Sequence, residues 1–119
     1  MSSSAFHVRP ARTTDVRAIK RLVERLVQQR ILLGKELVVF FESLQEFRVA
    51  VDDASGEVIG CGALHVIWED LGEVRTLAVG DDWRGKGVGH ALLESLEAEA
   101  RVLGLRRLFC LTFEVDFFT

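Results

Sequence analysis

With 119 residues the chain is long enough for one domain round one core and too short for two. Its 49% hydrophobic and 28% charged residues are those of a water-soluble protein; the longest apolar run, Leu37 to Phe41, cannot span a bilayer, and Met1-Ser2-Ser3-Ser4 opens no signal peptide, so a cytoplasmic protein without a membrane partner is expected. Fifteen basic and eighteen acidic residues give a net charge of −3 with no basic cluster, which argues against a nucleic-acid partner.

From Thr13 or Thr14 as N-cap, with Asp15 in the first turn, Val16, Ile19, Val23, Leu26 and Val27 recur at three- and four-residue steps and predict an amphipathic helix that runs on to Arg30. Gly34 breaks it, and Leu37, Phe40, Phe41 and Leu44 form a second short helical face. A strand over Phe47 to Asp52 follows. The turn Asp52-Asp53-Ala54-Ser55-Gly56 leads into a strand from Glu57 to Trp68, with Val58, Leu64, Val66 and Trp68 on one face, Ile59, Cys61, Ala63, His65 and Ile67 on the other, and Gly60 and Gly62 as bulge markers.

After Glu69-Asp70-Leu71-Gly72 comes a strand from Glu73 to Val79, with Glu73, Arg75, Leu77 and Val79 pointing one way and Val74, Thr76 and Ala78 the other. A glycine-rich loop leads to a helix from Val88, on which Val88, Leu92, Leu96 and Leu103 share a face opposite Glu94, Glu97 and Arg101, and Gly104 stops it. Leu105 to Phe113 is the last strand. This order predicts an α/β fold with a mixed central sheet flanked by helices, ending in a parallel strand–loop–helix–strand unit. Cys61 and Cys110 lie in apolar segments and read as unpaired buried thiols, and the scattered His7, His65 and His90 show no zinc-ligand spacing, so no metal is expected.

The most informative segment is Val79-Gly80-Asp81-Asp82-Trp83-Arg84-Gly85-Lys86-Gly87-Val88-Gly89-His90. The first N–H groups of a helix lack internal acceptors, and glycines let an anion approach them, so this segment is built to hold a phosphate. The dinucleotide fingerprint fails, because His90 stands where a third glycine belongs. The P-loop pattern nearly fits Gly80, Gly85 and Lys86, but Gly87 replaces its magnesium-binding hydroxyl. Arg84, Gly87 and Gly89 satisfy a third pattern, Arg-x-x-Gly-x-Gly, between a strand and a helix.

That pattern resembles the coenzyme-A loop of the GCN5-related N-acetyltransferases (GNAT). Ile31-Leu32-Leu33, Gly60-Cys61-Gly62-Ala63-Leu64, Gly72 to Val79 and Arg107-Leu108-Phe109-Cys110-Leu111 further resemble the short bacterial N-acetylglutamate synthases of arginine biosynthesis, which lack an amino-acid-kinase domain. The resemblance implies acetyl-CoA as co-substrate, with Arg84, Gly85, Lys86, Gly87, Val88, Gly89 and His90 at its pyrophosphate and the backbone of Leu77, Ala78 and Val79 along its pantetheine arm. It implies a small amine as partner, L-glutamate above all, with Lys35, His65 and Arg75 facing this acceptor. The resemblance implies a lysine at position 65, where this chain has His65.

Glu73 matches a strand glutamate that serves such enzymes as base, directly or through water. Arg75 on the same face would pair with it and lower its basicity, or orient substrate. Family members continue past Phe118 through a helix and two further strands, so the C-terminal part of the usual fold is missing from these 119 residues. Transfer to another amine, a non-catalytic acyl-CoA-binding module, and a homodimer all stay open at this level.

Overall fold

The computed structural model describes residues 5–28 and 37–110. Within them β1 (Phe6–Pro10), β2 (Phe47–Asp52), β3 (Val58–Trp68), β4 (Leu71–Val79) and β5 (Arg107–Cys110) form one sheet in that order. Strands β1 to β4 are antiparallel neighbours, and β5 lies parallel to β4, as the last crossover requires. Helices α1 (Val16–Gln28) and α2 (Leu37–Glu42) cover one face; α3 (Val88–Leu103) covers the other. Among the described residues, no helix is long and apolar enough to cross a membrane.

Each face is sealed by aliphatic side chains that contribute about 1.5–3 kcal/mol apiece when fully buried. Val16, Ile19, Val23 and Phe40 pack on Val49, Cys61 and Ala63. Val88, Leu92, Leu96 and Ala100, at successive i,i+4 steps, pack on Ala50, Leu64 and Val74. The expected faces need two corrections. Leu103 is 51% exposed because Gly104, in the left-handed region at φ 88, ends the helix there, and Ala100 fills the fourth inward place. Phe41 is also partly exposed, since one turn of helix turns only Phe40 fully inward.

The strand β1 was not among the predicted elements. Phe6 and Val8 alternate with His7 and Arg9 and rest against the α3 cluster, but five residues ending in Pro10 carry too short an alternation to stand out. It anchors the start of α1. Arg9 donates to both carboxylate oxygens of Asp15, at 2.7 and 3.0 Å, and Asp15 also accepts the Arg12 backbone N–H at 2.7 Å. Thr13 to Asp15 therefore form a 3-10 turn held by a carboxylate reaching back, in place of the expected threonine cap. Burial pushes the Asp15 carboxyl up, but the Arg9 and Arg12 hydrogen bonds and charges outweigh it and hold the group below 3.8.

A ladder interruption reverses two expected faces of β3. Ala50 pairs with Gly60 and Val51 with Val58, so Ile59 is the extra residue; Ile59 packs with α3 and Val58 with the α1 side. Strand β4 also begins at Leu71, two residues earlier than expected, because Trp68 pairs with Leu71 round Glu69 and Asp70. The last strand is described from Arg107 to Cys110, and residues 111–113 of its expected span lie outside the described residues.

Candidate active site

Strand β4 delivers two different environments. At its C-terminal end the Gly80 N–H donates to Ile59 O at 2.8 Å, Asp81 to Trp83 make one 3-10 turn, and the chain then passes through Gly85 at φ 77 and Gly87 at φ 84. A Cβ at Gly85 or Gly87 would meet nothing within 4 Å. Glycine is needed there for its left-handed backbone, and the space before it is open. Gly87 caps the 16-residue α3, whose first N–H groups lack i−4 partners and whose dipole adds positive potential.

Arg84, Lys86 and His90 are exposed round this cradle. Arg84 Nε stands 3.5 Å from Asp81 Oδ1, and Lys86 Nζ lies 5.3 Å from the centre of the Trp83 ring, which is itself edge-on to Phe6. The segment from Arg84 to His90 is thus gathered at one helix end, as expected. Leu77 and Val79 point into the α3 cluster and Ala78 into the other, so from these three residues only backbone is available to a ligand.

The middle of β4 holds a feature with no sequence signal. Cys61 pairs with Ala78 and Ala63 with Arg75, so Thr76 and Leu77 together oppose Gly62, and Thr76 has φ 56. A β-branched residue there is a true outlier of a kind that clusters at functional sites. Gly62 leaves room for it: a Cβ on Gly62 would lie 2.8 Å from a Leu77 methyl and 3.3 Å from a Leu96 methyl. The Cys61 thiol donates to Thr76 O at 3.6 Å.

This bulge corrects the expected faces of β4. Leu77 and Val79 join Val74 against α3, while Glu73 and Arg75 face the α1–α2 side. On that side Arg75 Nε donates to Glu73 Oε1 at 2.7 Å, and Glu73 is 12% exposed. His65 is its direct cross-strand partner, and His65 Nδ1 lies 2.9 Å from Glu46 Oε2. The structure therefore brings Glu73, Arg75 and His65 together. Lys35, expected to face the acceptor, lies outside the described residues. Glu46, in the short turn before β2, was missed; its three-residue lead into a strand gives no hint of a histidine contact.

Neither cysteine is in a disulfide. Burial pushes the Cys110 thiol up, and the Glu73 charge adds to this, which suits a packing residue better than a nucleophile.

An open glycine cradle thus lies beyond one end of a bulged strand, and a carboxylate–guanidinium pair precedes the bulge. The family model described as the acetyltransferase (GNAT) family matches residues 17–117. The chain belongs to that family. An amino-acid acetyltransferase of Mycobacterium tuberculosis is 54% identical over 112 residues, which are 93% of this chain and 64% of the relative. An Azotobacter vinelandii amino-acid acetyltransferase is 40% identical over 88% of this chain, and the match spans 24% of that protein.

Two solved structures share this GNAT fold at TM-score 0.87. One, from M. tuberculosis, in complex with CoA and NLQ, is 54% identical and is covered over 67% of its length, with 93% of this chain matched. The other is the Neisseria gonorrhoeae N-acetylglutamate synthase complexed with coenzyme A and N-acetyl-glutamate, 31% identical, with 95% of this chain and 26% of that one matched.

Proposed function

We propose that the chain transfers acetyl from acetyl-CoA to the α-amino group of an amino acid, with L-glutamate as acceptor. The observation that carries this reading is the layout of β4: an open glycine cradle on a helix N-terminus beyond Val79, and Glu73 with Arg75 before the bulge. The likeness to amino-acid acetyltransferases, and to a synthase solved with CoA and N-acetyl-glutamate, supports it.

The roles follow from the chemistry. Arg84, Lys86 and the N–H groups from Gly85 to His90 would hold the pyrophosphate, and the backbone of Leu77, Ala78 and Val79 would hold the pantetheine arm. Arg75 and Lys35 would meet the acceptor's carboxylates, since guanidinium and ammonium donors make the strongest such contacts. The acceptor arrives as an ammonium with no lone pair, so Glu73 would take a proton from it. Glu73 stands four residues, roughly 13 Å at strand rise, before the middle of the pantetheine segment, which favours a relay through water.

The test is calorimetric titration with CoA, then thiol release with glutamate, glutamine, other amino acids and a polyamine. Glutamate is expected to give the highest kcat/KM. CoA binding with no turnover on any amine would point to the acyl-CoA-binding module, and a better acceptor without a side-chain carboxylate would remove glutamate.

A further inference from the structure

We propose that His65, oriented by Glu46, is the outlet through which the proton collected by Glu73 reaches solvent. The proposal rests on the acetyl-transfer reading and adds to it two positioning residues, one of which no sequence signal marks.

The need for an outlet is set by stoichiometry. When an ammonium acceptor is acetylated, a C–N bond forms and the thioester C–S bond breaks. Of the three ammonium protons one stays on the amide, one ends on the thiol, and one must leave. Glu73, at 12% exposure and with Oε1 engaged by Arg75 at 2.7 Å, is shielded from bulk water. A proton taken there must be passed on before the next turnover.

The sheet register shows where it goes. The β3–β4 register is regular from Ala63↔Arg75 through Leu64↔Val74 and His65↔Glu73 to Val66↔Gly72, so His65 and Glu73 are directly opposed on the α1–α2 side. Directly opposed residues have Cβ atoms about 4.5–5.5 Å apart, within reach of each other's side-chain ends or of one bridging water. His65 and Glu46 are 35% and 33% exposed, nearly three times as open as Glu73.

With Glu46 ionised, its hydrogen bond to Nδ1 places the ring proton on that nitrogen and leaves the Nε2 lone pair to accept. An imidazole so held takes a proton at Nε2 from Glu73 and releases the other from Nδ1 toward Glu46 and water. The charged groups round His65 are Glu46, Glu73 and Arg75; Arg48 and Glu99, paired to each other at 3.1 Å, lie on the α3 side of the sheet.

The experiment uses the whole chain and its His65→Gln, His65→Ala and Glu46→Gln variants, with CoA affinity confirming that each folds. His65→Gln is expected to lower kcat about 10²-fold, at the low end of proton-transfer effects, with CoA affinity within twofold of the parent. Added imidazole should restore part of the kcat of His65→Ala. Nitrogen-15 spectra should show the ring proton on Nδ1 in the parent and its loss from that site in Glu46→Gln. Parental kcat and an unchanged pH–rate profile in His65→Gln would overturn the outlet while leaving acetyl transfer standing, and so would a raised glutamate KM at parental kcat, which makes His65 an acceptor contact. A parent that binds CoA but acetylates no amine overturns the transfer reading, and the outlet with it.

Discussion

The loop beyond β4 and the bulge in its middle depart from ordinary strand geometry in opposite ways. In the cradle the left-handed positions are glycines, Gly85 and Gly87; in the bulge the left-handed position is Thr76. Glycine adopts that backbone without a steric penalty, whereas a β-branched residue does so only when its surroundings impose it. The cradle is therefore specified locally by its own residues, and the bulge by what surrounds it, including the room left by Gly62 and the mismatched pairing of Cys61 and Ala63. On the proposed reading, ligand contact at the cradle would depend on backbone shape, and chemistry at the bulge on side chains aimed by a register shift.

The comparison is broken most severely at Glu73. Glu73→Gln keeps the shape and the contact with Arg75 but removes basicity, and kcat is expected to fall about 10² to 10⁴-fold with CoA affinity intact. A pH–rate profile of both proteins decides it: near-parental kcat with the same basic limb would make Glu73 a structural residue. Gly87→Val attacks the other end. A branched side chain at φ 84 costs about 1–2 kcal/mol in backbone strain and fills the space before the helix N-terminus, so CoA affinity should fall at least tenfold while glutamate contacts are untouched. A folded Gly87→Val protein with parental CoA affinity would falsify the cradle.

This contrast also explains how much was legible beforehand. The glycine spacing and the periodicity of Val88, Leu92 and Leu96 were enough to place the cradle, α3 and the parallel crossover, because each signal is local. The faces of β3 at Val58 and Ile59 and of β4 past Thr76 were misread, since strand alternation is counted from one end and a single extra residue inverts what lies on its other side. Lone pairs such as His65 with Glu46, separated by 19 residues, depend on the assembled sheet and leave no mark in spacing.

A change outside both regions, in a cleft whose lining also includes Gly80 and Asp81, sharpens the comparison by testing the frame that holds α1 on the sheet. Asp15 is 5% exposed and accepts charge-assisted hydrogen bonds from Arg9, each worth about 1.5–3 kcal/mol. Asp15→Asn should therefore lower unfolding free energy by about that amount at neutral pH and leave CoA affinity nearly alone. Because the folded carboxyl is held below 3.8, its stabilisation is fully present above that value and disappears as pH falls through the folded one. The stability gap between parent and variant should be constant near neutral pH and narrow only as pH falls below the ordinary carboxylate range; a gap that persists in acid would assign the loss to packing.

The smallest expected effect is at Thr76 itself. Threonine at φ 56 carries a left-handed penalty of about 1–2 kcal/mol that glycine does not. Glycine in turn adds about 0.5–1 kcal/mol of unfolded-chain entropy and gives up the threonine's packing. These terms nearly cancel, so Thr76→Gly should change stability by no more than about 1 kcal/mol, a few degrees in Tm for a domain of this size. The backbone shape is kept, and with it the aim of Glu73 and Arg75, so kcat should stay within about threefold. If Thr76→Gly instead loses kcat as Glu73→Gln does while stability holds, the threonine side chain takes part in the reaction, and the bulge would be a source of side-chain chemistry as well as a device for aiming its neighbours.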